Sequence, residues 1–388
     1  MDAKATAREA IKTHQEGLTA LSHRIHAHPE MGYEEEQASG WLTEYLAGAG
    51  FTVEAGICDL PTAFRATAGS GPLHLTICAE YDCLPAIGHA CGHNIIAAMA
   101  VGAGIGAARV ADDAGLTVTV LGTPAEEHGL KGGKILLLER GGFDGQHAAM
   151  MVHPGPADQL LPHLIAVAAM EIFYTGKEAH ASAFPQLGIN AADALTIAQV
   201  AIGLLRQHIG ESDRIHGIIT KGGDAPNVIP AHTSARYMAR ANELKDLETL
   251  VPRVRRCFEA GALATGARLE ITGGDRPYAH VVHDLAMAAL YRQNAEALGR
   301  PLVESSLAAS TDMGNVSLAM PTIHPMIGIN SLPAVNHQPE FTAHCVTPDA
   351  DQALLDGAVA MAWTAIDMGG DATLRARLTE HAYHYQPA

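Results

Sequence analysis

Between Glu80 and Asn94 the chain reads Glu-Tyr-Asp-Cys-Leu-Pro-Ala-Ile-Gly-His-Ala-Cys-Gly-His-Asn. Carboxylates, thiols and imidazoles are crowded into one short stretch, and these are the side chains that bind divalent transition metals. Cys91 and His93 stand two apart on a turn just before a helix pattern, a spacing that can aim both at one ion. A second acidic pair, Glu126-Glu127, follows in Gly-Thr-Pro-Ala-Glu-Glu. In extended chain, consecutive side chains point opposite ways. One carboxylate could then bind metal while the other faces a substrate cleft and takes a proton from water that the metal activates. The chemistry these residues suggest is metal-assisted hydrolysis.

Strands and helices must carry those groups to one place. Leu73–Ala79 reads as a buried strand, Leu116–Leu121 as a β-branched one and His147–Val152 as a third. Helix patterns cover 5–25, Ile95–Val110 and a start at Lys134–Glu139. Alternating strands and helices imply an α/β fold with a mostly parallel sheet covered on both faces. Asp82 follows the first strand, Glu126 and Glu127 the second and His153 the third. Ligands of open α/β sheets sit outside the carboxyl ends of the strands, so three strands deliver metal-type side chains to one edge. His337 lies in the loop Pro333–Phe341, after a last strand pattern at Thr322–Ile329.

From about residue 166 the pattern changes. Strands at Ala166–Tyr174, Arg214–Ile219, Thr233–Ala241 and Arg268–Thr272 alternate with helices at Ala191–Gln207 and Leu247–Leu263. Two helices on a small antiparallel sheet make a compact inserted α+β domain over 166–275. A metal-binding catalytic domain then comprises 1–165 and 276–388, resuming with a helix at Asp284–Ala297.

Composition narrows the classes. A chain of 388 residues exceeds one ordinary core. A formal net charge of -17 argues against nucleic acid and against anionic membranes as partners. The N-terminus shows no apolar signal core, and no stretch reaches the ~18 apolar residues of a spanning helix. Six cysteines with no C-x-x-C pair read as reduced thiols of a cytoplasmic protein. Most of the 22 histidines read as surface or satisfied core residues.

These motifs, in this order, resemble the aminoacylase and carboxypeptidase family of metallopeptidases, peptidase family M20. The resemblance runs from His28-Pro-Glu-Met-Gly-Tyr-Glu-Glu through Asp82-Cys-Leu-Pro, Ala90-Cys-Gly-His93 and Gly122-Thr-Pro-Ala-Glu-Glu127. It continues through Gly176-Lys-Glu-Ala-His180-Ala-Ser and Asn227-Val-Ile-Pro to His337. It implies that Cys91, His93, Glu127, His153 and His337 hold one or two divalent ions, zinc or manganese. It further implies that Glu126 is general base and acid, that Asp82 orients the site, that the inserted α+β domain over 166–275 is a lid or dimerisation domain, and that His180 reaches the active site of the neighbouring protomer in a homodimer. Asn227 and Arg240 would hold the substrate, a small amide or dipeptide. Glu80 and His89 match no ligand.

Two departures refine the resemblance. Asn94-Ile95-Ile96 follows Cys-Gly-His where the commoner hydrolases of the branch have an acid and a further histidine, and Ser310–Asn315 stands where the wider family has Glu-Asp-Phe. Both variants resemble the sub-branch of aminobenzoyl-glutamate hydrolase and related dipeptidases. Two rival readings stand beside it: a cysteine hydrolase using Cys91, and a ligand-binding homologue that has lost activity. A zinc deaminase is excluded, because its H-x-E and P-C-x-x-C signatures are missing.

Overall fold

The computed structural model describes residues 2–304 and 308–386. Its strands, in chain order, are β1 (Thr52–Ala55), β2 (Phe64–Gly69), β3 (Leu73–Ala79), β4 (Leu116–Gly122), β5 (Ala148–Met150), β6 (His153–Gly155), β7 (His163–Leu164), β8 (Ala166–Thr175), β9 (Arg214–Lys221), β10 (His232–Ala241), β11 (Arg268–Gly273), β12 (Ala308–Ala309), β13 (Thr322–Ile323) and β14 (Met326–Gly328).

A six-stranded sheet runs in the order β1-β2-β4-β3-β5-β13. Four neighbouring strands, β4, β3, β5 and β13, pair in parallel. β1 and β2 add an antiparallel edge, so the fold is α/β with a mostly parallel sheet. β4 is buried along its whole length, as a strand covered on both faces must be. One cover is the helix His93–Ala108, buried on nearly every side and rich in alanine and glycine, which packs against Pro348–Gly370. Small side chains let these two helices and the sheet approach closely, and the main core closes around them.

Within 166–273 a second, four-stranded antiparallel sheet forms in the order β11-β8-β10-β9. The helices Ala191–Leu205 and Leu244–Thr265 cover one face and build their own core with it. The other face turns toward the first sheet's carboxyl edge.

Three sequence expectations differ in detail. The helix read over 5–25 is two helices, Ala3–Thr13 and Gln15–Ala27, because His14 leaves helical geometry and its N–H closes back on Ile11. The strand read over His147–Val152 stops at Met150; the chain then re-forms as β6, which pairs with β14 instead of the central sheet. Thr322–Ile329 is likewise split into β13 and β14 at His324-Pro325, where proline removes a ladder donor.

Candidate metal centre

β4, β3 and β5 are adjacent, and their carboxyl ends release the segments that carry Glu126 and Glu127, Asp82, and His153. His93 opens the helix His93–Ala108, and Gly92 before it is left-handed at φ 83. A Cβ at Gly92 would stand 2.5 Å from the Pro154 ring, so only glycine turns the chain here. The turn places Cys91 Sγ 3.5 Å from His153 Nε2.

Each ring is oriented from behind. His93 Nδ1 donates to Asp82 Oδ1 at 3.0 Å, and His153 Nδ1 to the Pro154 carbonyl at 2.8 Å. Both Nε2 atoms thereby face inward, and each offers a lone pair when its imidazole is neutral. Asp82 Oδ2 also accepts the Glu127 N–H at 2.8 Å, so a single carboxylate fixes a histidine and the loop that bears the acidic pair. His337, 57% exposed, reaches Glu127 Oε1 at 3.3 Å, and its own N–H is tied to the Ala90 carbonyl. Asn336 adds bonds to the Cys91 and Pro154 carbonyls.

The extended-chain picture of Glu126-Glu127 is corrected. Ala125 is left-handed, and residues Glu126–His128 form a 3-10 turn. Successive side chains on so tight a turn do not alternate. Glu126 Oε2 and Glu127 Oε1 instead lie 3.9 and 4.0 Å from the same atom, His93 Nε2. Glu126 is buried. Burial, with Glu80, Glu127 and Asp312 nearby, pushes its carboxyl well above the usual carboxylate range.

The donor set fits a divalent cation. Cys91, His93 and His153 converge within 4.8 Å, and so do Cys91, Glu127 and His337. His93 Nε2 and Glu127 Oε1 are buried without a hydrogen-bond partner among the described residues, a costly state that a cation would relieve. Burial drives the His153 imidazole down to about 4, leaving it neutral as a ligand must be. Burial pushes the Cys91 thiol well above its ordinary range, opposite to the lowered, exposed thiol of a cysteine hydrolase.

Other residues lie outside this cluster. His180 sits in an exposed loop, its Nδ1 accepting N–H groups of Ser182 and Ala183. Asn227 is exposed, and its carbonyl accepts the Ala181 N–H. Arg240 on β10 bonds Ser310 Oγ at 2.9 Å and approaches His216. Asn94 is buried and structural, donating to Ser22 and the Cys345 carbonyl.

Four groups escaped sequence reasoning. Glu80, set aside there, is fully buried with Oε2 3.4 Å from His93 Nε2. Its Oε1 binds Lys134 Nζ at 2.5 Å, and Lys134 also binds Asp312 Oδ1 at 2.6 Å. Glu35 is buried and accepts the Ala125 N–H at 2.8 Å and the Thr62 hydroxyl at 3.0 Å, holding the strained residue that presents Glu126. The only sequence cue was proximity: Glu80 precedes Asp82 by two, and Glu35 ends the His28–Glu35 motif.

Burial and the nearby Asp82 raise Glu35 to about 7. A carboxyl raised on folding favours the native state below its unfolded value, near 4.5, and that contribution is lost as pH climbs through about 7. Glu35→Gln, which stays neutral, is therefore expected to gain on the wild type by on the order of 2–3 kcal/mol between pH 5 and 8. Denaturant unfolding of both proteins across that range measures it; parallel pH profiles would contradict it.

A cleft of about 590 Å³ opens beside Glu127, between the two sheets. Met31, His128 and Leu130 form one wall, and Glu171, His216 and Arg236 stand on the other.

The peptidase dimerisation domain family matches residues 166–265. A dinuclear metal-binding peptidase of the M20 family from Bacillus subtilis superposes with a TM-score of 0.66 at 22% identity, covering 92% of this chain and 99% of that one. The Xaa-Arg dipeptidase of Mus musculus is 37% identical over 94% of this chain and 88% of its own length. The chain belongs to the M20 peptidase family. A further M20-type relative, a p-aminobenzoyl-glutamate hydrolase polypeptide of Escherichia coli, is 32% identical over 68% of this chain and 58% of its own. As a member of this family the chain is an enzyme, a metal-dependent amidohydrolase. The names of both relatives, a dipeptidase and an aminobenzoyl-glutamate hydrolase, agree with the sub-branch that the sequence resembles. Among the described residues, no helix is long and apolar enough to cross a membrane.

Proposed function

We propose that this M20 enzyme cleaves dipeptides or N-acyl amino acids, with Cys91, His93, Glu127, His153 and His337 holding one or two zinc or manganese ions. The observation that carries the reading is the pair of ligand triads sharing Cys91, with the buried Glu126 beside them. When bound, the ions polarise the scissile carbonyl and make water acidic enough to be deprotonated near neutral pH. Glu126 takes that water's proton as the water attacks the carbonyl carbon, then delivers it to the departing amine. Its raised proton affinity suits a group that must hold a proton between the two steps. Asp82 keeps His93 and the Glu127 loop aligned throughout.

The inserted sheet supports a homodimer. Among the described residues β9 is a free edge, exposed on both faces from His216 onward, Ile218 and Ile219 among them, and Val200 and Leu204 lie exposed on the helix Ala191–Leu205. An unpaired edge beside apolar side chains suits pairing with a second copy. In that assembly the partner subunit's His180 would stabilise the oxyanion, Asn227 would help seat the substrate, and Arg240 would receive the product-side carboxylate. The free cysteines of the described chain agree with a reducing, cytoplasmic setting.

The test is a panel of dipeptides and N-acyl amino acids, led by dipeptides ending in arginine as the murine relative's name suggests. Purified protein is loaded with zinc or manganese, and released amine is measured. Turnover that a chelator abolishes and added metal restores is the expected result. Release that survives chelation would favour thiol chemistry, and no release from any substrate would leave a binding protein.

A further inference from the structure

We infer that Glu171 is the residue that reads a cationic substrate side chain; this rests on the amide-hydrolase reading above and adds a specificity determinant to it. The cleft beside Glu127 carries two carboxylates on its walls, Glu127 and Glu171. Glu127 belongs to the donor cluster, where a bound cation would neutralise it. Glu171 is then the cleft's one standing negative charge among the described residues, facing substrate from β8.

Its partnership with Arg236 is weak by geometry. The two are directly opposite on β8 and β10, joined by one contact, Arg236 Nε to Glu171 Oε1 at 2.8 Å. The two-pronged fork that makes arginine–carboxylate pairs strong is not formed. Both residues line the cleft, and the Arg236 side chain is 69% exposed against 25% for Glu171, so the guanidinium has more room to move into solvent than the carboxylate has. Pairs this exposed are worth roughly 0–1 kcal/mol. An incoming guanidinium or ammonium can take the free Glu171 oxygen, or displace Arg236 outward, at little cost.

The face of β10 beside Glu171 carries further polar side chains. Arg236, Met238 and Arg240 alternate onto the same face of β10, and Arg240 lies four residues, roughly 13 Å, from the Glu171–Arg236 pair. A substrate lying along this face of β10 would meet Glu171 within the cleft and Arg240 further along the strand, where its guanidinium bonds Ser310 Oγ. The net charge of -17 draws cationic substrates toward the protein at long range.

The experiment measures kcat/KM for Ala-Arg and for Ala-citrulline, whose neutral urea copies the guanidinium's shape. The readout is their ratio, in which any general loss of activity cancels. Glu171→Gln is expected to lower the ratio by about tenfold or more, mainly through KM, as loss of a charged hydrogen-bond partner does. An unchanged ratio overturns the assignment. Arg236→Gln is expected to hold or raise the ratio by releasing the carboxylate; a fall would overturn it, because the ion pair would then be acting as a structural unit. Wild-type enzyme that cleaves both peptides with equal kcat/KM overturns the Glu171 assignment alone. A wild type that cleaves no amide substrate overturns the reading beneath it as well.

Discussion

Glu126→Gln is expected to lower kcat by roughly 10²–10⁴-fold, the usual contribution of a positioned general base. KM and bound metal should stay close to the wild type. Glutamine preserves the shape of the buried side chain and removes only its capacity to accept and release a proton. Glu126 Oε2 stands 3.9 Å from His93 Nε2, near enough to serve water at the cluster, while Cys91, His93 and His153 form a triad without it. Steady-state kinetics and metal analysis of the purified variant decide the matter. Near-normal turnover would remove Glu126 from the mechanism; loss of metal would make it a ligand. The same variant tests the shared active site. Mixed with an equal amount of His180→Ala, half the dimers would be mixed, each with one intact site, giving about a quarter of wild-type activity. No recovery would confine His180 to its own protomer.

The second large effect concerns stability. Lys134 is fully buried between Glu80 and Asp312, and its backbone N–H also binds Asp312 Oδ2 at 2.9 Å. Burial works against the ammonium, yet Asp312 and Glu80 outweigh it and raise its proton affinity. Lys134→Met strips the cation and leaves two buried carboxylates facing each other. Breaking a buried pair this way costs about 3–5 kcal/mol. The triple change Glu80→Gln, Lys134→Met, Asp312→Asn removes the charges together and should regain much of that loss. Chemical denaturation of the single and triple variants gives both numbers. A single-variant loss below about 1 kcal/mol would mean that solvent reaches the network as it reaches surface pairs.

Much of this was legible in the chain. β3 was read at its observed bounds, because Leu73, Leu75, Ile77, Cys78 and Ala79 make it a mostly apolar run, as a strand buried on both faces does. The helix after Cys91-Gly-His93 was clear for the same reason, and Ala166–Thr175 for its length. β1 and β2 were missed: their burial is uneven and their pairing antiparallel, so no strong periodicity marks them. The short β6 was missed too, and β13 and β14 were read as one strand, since two or three residues carry no period.

At the metal centre, the sequence by itself named the candidate donors, the chain order of the strands that bear them and a helix next to Cys91 and His93, which in the structure begins at His93 itself. Those are local matters of residue type, glycine geometry and buried periodicity. Only the tertiary structure decided that Glu126 and Glu127 share one turn and one target, that Glu35 holds that turn, and that Glu80, Lys134 and Asp312 meet behind it. Asp312 lies 178 residues from Lys134 and Glu35 lies 90 from Ala125. No local pattern reports such encounters, because desolvation and charge compensation arise only where distant segments bury one another.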